Sequence, residues 1–206
     1  MKLIIYCFFL VFFLFCLSGC GLNLNWDVNY IPENLGKNPL ATVRPKVFLL
    51  QFEDNRSDTE KDFVGYYIEL NGKNYYTSKL PPREIVLNSL EKILNDNGHK
   101  SIYNGKNQSF DLIFYVKINK FLQDYRPATT KGDKPNELVG HINADIKLIG
   151  PLNNQIFFSK TVNTITIDPL ESAFAKSYEV PYSKTIKQFL EDIILDFELI
   201  EVLKKI

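Results

Sequence analysis

Between Val139 and Ile149 apolar and polar residues alternate. Ile142, Ala144, Ile146 and Leu148 fall on one side of an extended backbone, and His141, Asn143, Asp145 and Lys147 fall on the other. Successive side chains of a strand point to opposite faces, so this segment can bury only one of its sides. A sheet with one wet face reads as antiparallel, because all-parallel sheets are covered on both faces. Its apolar side must then be roofed by helices, which makes the expected class α+β.

Two segments supply the roof. From Pro81 to Asn97, Val86, Leu87, Leu90, Ile93 and Leu94 recur at helical spacing. Pro82 suits the first turn, Glu84 the positive end of the dipole, and Gly98 a left-handed stop. His99, just past that end, is expected to complement the dipole. From Tyr182 to Lys205 a single long helix is expected, with Ile186, Phe189, Leu190, Ile193, Ile194, Phe197 and Ile200 as its stripe. Lys46–Phe52 and Asp111–Leu122 read as strands, and Gln155–Ile167 as a return strand after the turn "GPLNN". Asn71-Gly72, between two β-prone runs, reads as a two-residue hairpin turn pairing Ile68 with Tyr75 and Tyr67 with Tyr76. Asp124–Glu137 reads as a loop. The expected fold is an antiparallel β-sheet with two amphipathic helices packed on one face, in a single domain over residues 46–206.

The first residues belong to something else. Lys2 is followed by an unbroken apolar run from Leu3 to Leu17 and then by Ser18-Gly19. The run is shorter than the roughly 20 residues a membrane-crossing helix needs. Charged start, apolar stretch and small residues are the layout of a signal peptide. Leu17-Ser18-Gly19-Cys20 resembles the bacterial lipobox. That resemblance implies lipidation of the Cys20 thiol, cleavage after Gly19, acylation of the new amine, and, with glycine at position 21, sorting to the outer membrane. Residues 1–19 are then a removed signal and residues 20–45 a lipidated cysteine with its tether. If flexible, that tether spans about 25–30 Å, and at most about 80 Å when extended. Trp26 and Tyr30 within it either dock on the domain or lie at the lipid interface.

The three cysteines are Cys7, Cys16 and Cys20. Cleavage removes two and lipid consumes the third, so thiol catalysis, thiolate metal sites and disulfides are excluded from the mature domain. With 24 basic against 24 acidic residues, the chain lacks the positive excess that phosphate contacts demand, and nucleic acid is not an expected partner. No motif for a cofactor, and no spacing of metal ligands, is present.

Three groups of residues are candidates for a site. Tyr66, Tyr67, Tyr75 and Tyr76 on the hairpin read equally as an interaction surface and as cross-strand packing. Asp54 and Arg56 read as a loop-fixing ion pair in preference to a ligand-binding one. His141 and Asp145 read as solvated polar residues in preference to a proton-transfer pair.

A strand leading into Asp54-Asn55-Arg56, then Gly65, a helix closing at Gly98, three strands and a terminal helix, together with the lipobox, resemble the YajG-like outer-membrane lipoproteins. The resemblance covers about Lys46 to Leu203. The tyrosine hairpin and the Asp124–Glu137 loop depart from its pattern. The family has no established enzymatic role, so the resemblance implies a fold and a location. The expected function is a non-enzymatic, lipid-anchored module of the cell envelope. Its domain would face the periplasm, with exposure on the cell surface as the alternative, and its partner would be another envelope protein or a polymer. A carrier or chaperone for a hydrophobic envelope ligand is the alternative, and a hydrolase using His141 and Asp145 a more distant one.

Overall fold

The computed structural model describes residues 25–26, 39–58, 60–61, 63–69, 72–78, 80–103, 108–126, 136–170 and 176–206. Leu17, Ser18, Gly19, Cys20 and Tyr30 lie outside the described residues.

Among the described residues eight strands form one sheet: β1 (Asn25–Trp26), β2 (Val47–Asp54), β3 (Phe63–Glu69), β4 (Gly72–Ser78), β5 (Lys100–Ile102), β6 (Leu112–Arg126), β7 (Asn136–Ile149) and β8 (Ile156–Leu170). Among the described residues, a short 3-10 turn (Pro39–Thr42) and three α-helices accompany them: α1 (Pro82–Asp96), α2 (Lys176–Ile194) and α3 (Phe197–Lys205). The class is α+β, and the long ladders β6–β7 and β7–β8 are antiparallel. The sheet is nevertheless mixed. β2 lies between β5 and β6 and pairs with both in parallel. The route from β2 to β5 runs through the hairpin and α1, the kind of crossover that parallel pairing requires. Burial on both faces explains why Phe48, Leu49 and Leu50 are buried in succession.

α1 begins as its sequence dictates, with Pro82 in the first turn and Glu84 beside it. It closes in a Schellman motif: His99 N–H donates to the Leu94 carbonyl (3.0 Å) and Gly98 N–H to that of Asn95 (3.1 Å). Gly98 has φ of 83°, which an L-residue rarely adopts. His99 does not serve the helix dipole. The residue is 5% exposed, and its ring packs edge-on against Phe48. The Lys46 N–H donates to Nδ1, so Nε2 carries the proton and donates to the Leu40 carbonyl (3.2 Å).

The expected single C-terminal helix is two helices. The chain breaks at Leu195 and Asp196, where extended Asp196 accepts a bond from the Leu199 N–H (3.0 Å) and caps α3. The break changes the phase of the apolar stripe. Phe197, expected inside, is 76% exposed, while Leu199, Ile200 and Leu203 are buried. α2 also starts earlier than expected, at Lys176, and runs through Pro181.

One continuous apolar cluster draws on β2, β6, β7, β8 and all three helices, with Phe48, Phe114, Ile146 and Phe189 among its innermost members. Leu40 and Val43 belong to it as well, so part of the stretch read as tether is core. Residues alternating with the inner ones on β2 and β6, Leu49 and Ile113, form a smaller cluster with Ile102.

Two glycines mark close approaches. A Cβ on Gly140 would lie 1.9 Å from Thr185 Oγ1, where α2 meets β7. A Cβ on Gly65 would lie 2.6 Å from the Gln123 carbonyl, where β3 meets β6.

Candidate interaction surface

On the sheet side that alternates with the main cluster, the registers align polar residues into rows. Lys117 pairs with Asp145 and Asp145 with Thr161; Lys120 pairs with Asn143 and Asn143 with Asn163. A shift in register between Ile118 and Lys120 leaves Asn119 as an extra residue on β6. Such a bulge re-aims a side chain. Here it lets Asn119 Nδ2 donate to both Asn143 Oδ1 (3.2 Å) and Asp145 Oδ2 (3.0 Å). Asn55 reaches Asn119 from beyond β2. Thr161 donates to Asp145 Oδ1 (2.6 Å), and His141 Nε2 meets Asn163 Oδ1 (2.7 Å). Tyr115 donates to Glu53, which also binds Lys117 (3.0 Å).

These bonds set the charge states. Asp145 is held below the usual carboxylate range by the bonds from Asn119 and then Thr161. Glu53 is held low by Tyr115 and then Lys117. The Tyr115 hydroxyl is pushed up to about 12 by burial and by its bond to Glu53. The surface therefore carries fixed carboxylates inside a web of amide and hydroxyl groups. His141 and Asp145 have different partners: His141 Nε2 meets Asn163, and the two Asp145 oxygens accept from Asn119 and Thr161. Among the described residues no group of three or more His, Cys, Asp or Glu is placed to hold a metal ion.

Asp54 and Arg56 form a knot. Arg56 Nε and Nη2 bind the two Asp54 oxygens (2.9 and 2.7 Å), and the remaining N–H groups donate to the carbonyls of Phe63, Phe121 and Lys61. The Arg56 side chain is 3% exposed, and its guanidinium lies over the Phe121 ring. Every donor it owns is used within the fold, which ties the end of β2 to β3 and β6 and leaves none for a ligand. Nearby, the Gln123 amide and the Tyr182 hydroxyl are buried with no hydrogen-bond partner among the described residues.

The hairpin forms, in a register two residues from the expected one. Tyr66 pairs with Tyr75, Gly65 with Tyr76, Tyr67 with Asn74, and Glu69 with Gly72. Its second strand carries β1 on its other edge.

The sequence reading missed Asn163 and Thr161 as members of the polar rows, because their neighbours depend on the β7–β8 register. The turn itself held the signal. Asn153 and Asn154, both at positive φ, are residues that tolerate the left-handed region and set a tight connection.

No helix of the described residues is long and apolar enough to cross a membrane. No protein-family model matches the sequence, and comparison with curated protein sequences finds no match. Solved structures do match. A Xanthomonas campestris protein of the family DUF330 aligns with a TM-score of 0.55 and 9% identity, over 76% of this chain and 85% of that one. Bacterial lipoproteins are also among the matches. Lipoprotein B of Nitrosomonas europaea aligns at 0.41 and 16% identity over 64% and 80% of the two chains. A lipoprotein of Neisseria meningitidis aligns at 0.39 and 10% identity over 71% and 99%. At such identities the likeness to the Xanthomonas protein shows a shared fold.

Proposed function

We propose that the protein is a non-enzymatic, lipid-anchored module of the outer membrane, held by Cys20 with its domain in the periplasm. In this reading the helices cover one face of the sheet, and the polar rows of the other face engage an envelope protein or polymer. The observation that carries the anchor is Leu17-Ser18-Gly19-Cys20 placed directly after the apolar run. Two or more acyl chains anchor stably where one does not. Tethering raises the effective concentration of the domain toward a partner on the same membrane. The polar rows support a binding surface, since the Asp145 and Glu53 carboxylates are held in the charged form and Asn163 and Thr161 are exposed.

Replacing Cys20 by Ser should release the protein from the membrane fraction. Retained membrane association without incorporation of labelled lipid would sink the anchor. A photo-crosslinker at Asn163 should capture an envelope component that the same group at Gln188, exposed on α2, does not. Identical adduct patterns at the two positions would remove the polar face from the proposal.

A further inference from the structure

β1 is only two residues long, yet it sets where the anchor leaves the fold. Asn25 pairs with Thr77 and Trp26 with Ser78, in parallel. The parallel register means that β1 is entered from the side of β4 that begins at Gly72, the turn end of the hairpin. Cys20 stands five residues before Asn25, a reach of at most about 17 Å. Gly72 stands five residues before Thr77, which is about 17 Å along a strand. The lipidated residue can come level with the hairpin turn and can go little farther.

We propose that the β3–β4 ribbon lies on the lipid surface that holds the Cys20 acyl chains. This rests on the lipidation reading and names the surface that the anchored domain turns toward its own membrane. The composition of the ribbon suits a headgroup layer. Tyr66, Tyr67, Tyr75 and Tyr76 sit at neighbouring register positions. Tyrosine joins an apolar ring to a polar tip and concentrates at membrane interfaces, as does tryptophan, here Trp26. The two strands carry one acid, Glu69, and one base, Lys73, so the contact is interfacial in character and needs no anionic lipid. The registers also fix what faces away. β3 joins β6 at Asp124, near the end of that strand, whereas the β7–β8 turn lies beyond Ile149, which pairs with Ile113 at its start. The ribbon and that turn are at opposite ends of the sheet.

The acylated full chain is reconstituted in phosphatidylethanolamine–phosphatidylglycerol vesicles carrying nitroxide on some headgroups. Single fluorophores are attached through Lys73→Cys or Leu152→Cys, since the mature chain offers no other free thiol. Quenching at position 73 should exceed that at the exposed turn residue 152 by about threefold or more, as for a group at the interface against one beyond it. Equal quenching on vesicles with which the protein floats overturns the docking and leaves the anchor standing. A chain that fails to float, with no acyl mass on Cys20, overturns the anchor itself. In a third variant, serines at all four tyrosine positions should lower quenching at position 73 while flotation persists. Unchanged quenching in that variant, with its thermal transition retained, overturns the role of the tyrosines.

Discussion

Phe114 and Tyr115 are neighbours in the chain and belong to two different environments. Phe114 lies among apolar side chains from the strands and helices, packed edge-on to Phe48. Tyr115 borders a shallow cluster and spends its hydroxyl on Glu53. The same contrast runs the length of β6 and β7: one side excludes water, and the other keeps its polar groups in bonds that water can replace. Stability comes chiefly from the first side, since burying a large apolar side chain contributes about 1.5–3 kcal/mol. A hydrogen bond at a wet surface contributes net about 0.5–1.5 kcal/mol. Substitutions on the polar side should therefore cost the fold less than those on the apolar side.

The largest test of this contrast is truncation on each side of the strand. Phe114→Ala should lower the unfolding free energy by about 3–5 kcal/mol, and Tyr115→Ala by about 1 kcal/mol, in urea denaturation. Similar losses would mean that the two sides do not differ as described. Next is Gly140→Ala, which should cost about 1–3 kcal/mol because the new methyl must push α2 from β7; a neutral result would show that the helix can move freely.

Acid should separate the sides by pH. His99 has its pKa lowered from 6.5, chiefly by burial. The unfolded chain then binds a proton that the fold refuses, so this contribution is full above 6.5 and is lost as pH falls through the lower folded value. Glu53 and Asp145 are lowered from 4.5 and 3.8. Their contributions are full above those values and fade only in stronger acid. Melting temperature against pH should therefore fall in two stages, and His99→Gln should erase the first alone. The smallest effect expected is that of Asn163→Ala, within about 0.5 kcal/mol in the same urea denaturation.

The alternation of Ile142, Ala144, Ile146 and Leu148 was readable because it is local: a period of two fixes both strand and face. The stripe of α1 and its Gly98 stop were readable for the same reason. What could not be read was set by distant partners. The hairpin register differs from the one Asn71-Gly72 suggested, because β3 is also held by β6 at Tyr66–Asp124 and β4 by β1. The parallel neighbours of β2 depend on a crossover that no local pattern encodes, although the unbroken Phe48-Leu49-Leu50 was a sign of burial on both faces. The break at Asp196 was a missed local signal: an N-capping residue followed by Glu198 in the first turn. Of the surface, the members on β7 were visible as the wet side of the alternation. Asn119 acquired its role from a bulge, and Asn163 from a register, neither written in neighbouring residues.

The place of β2 also decides the order in which the molecule can assemble. β6, β7 and β8 join through successive antiparallel pairings. β2 reaches its partner only by pairing Phe48 with Leu112, across more than sixty residues of intervening chain. Such non-local closure slows folding, since the chain must be ordered before the contact rewards it. A chain that emerges from its N-terminus thus presents "KVFLLQF" well before β6 exists to receive it, and that apolar strand is the segment a holding chaperone would need to shield.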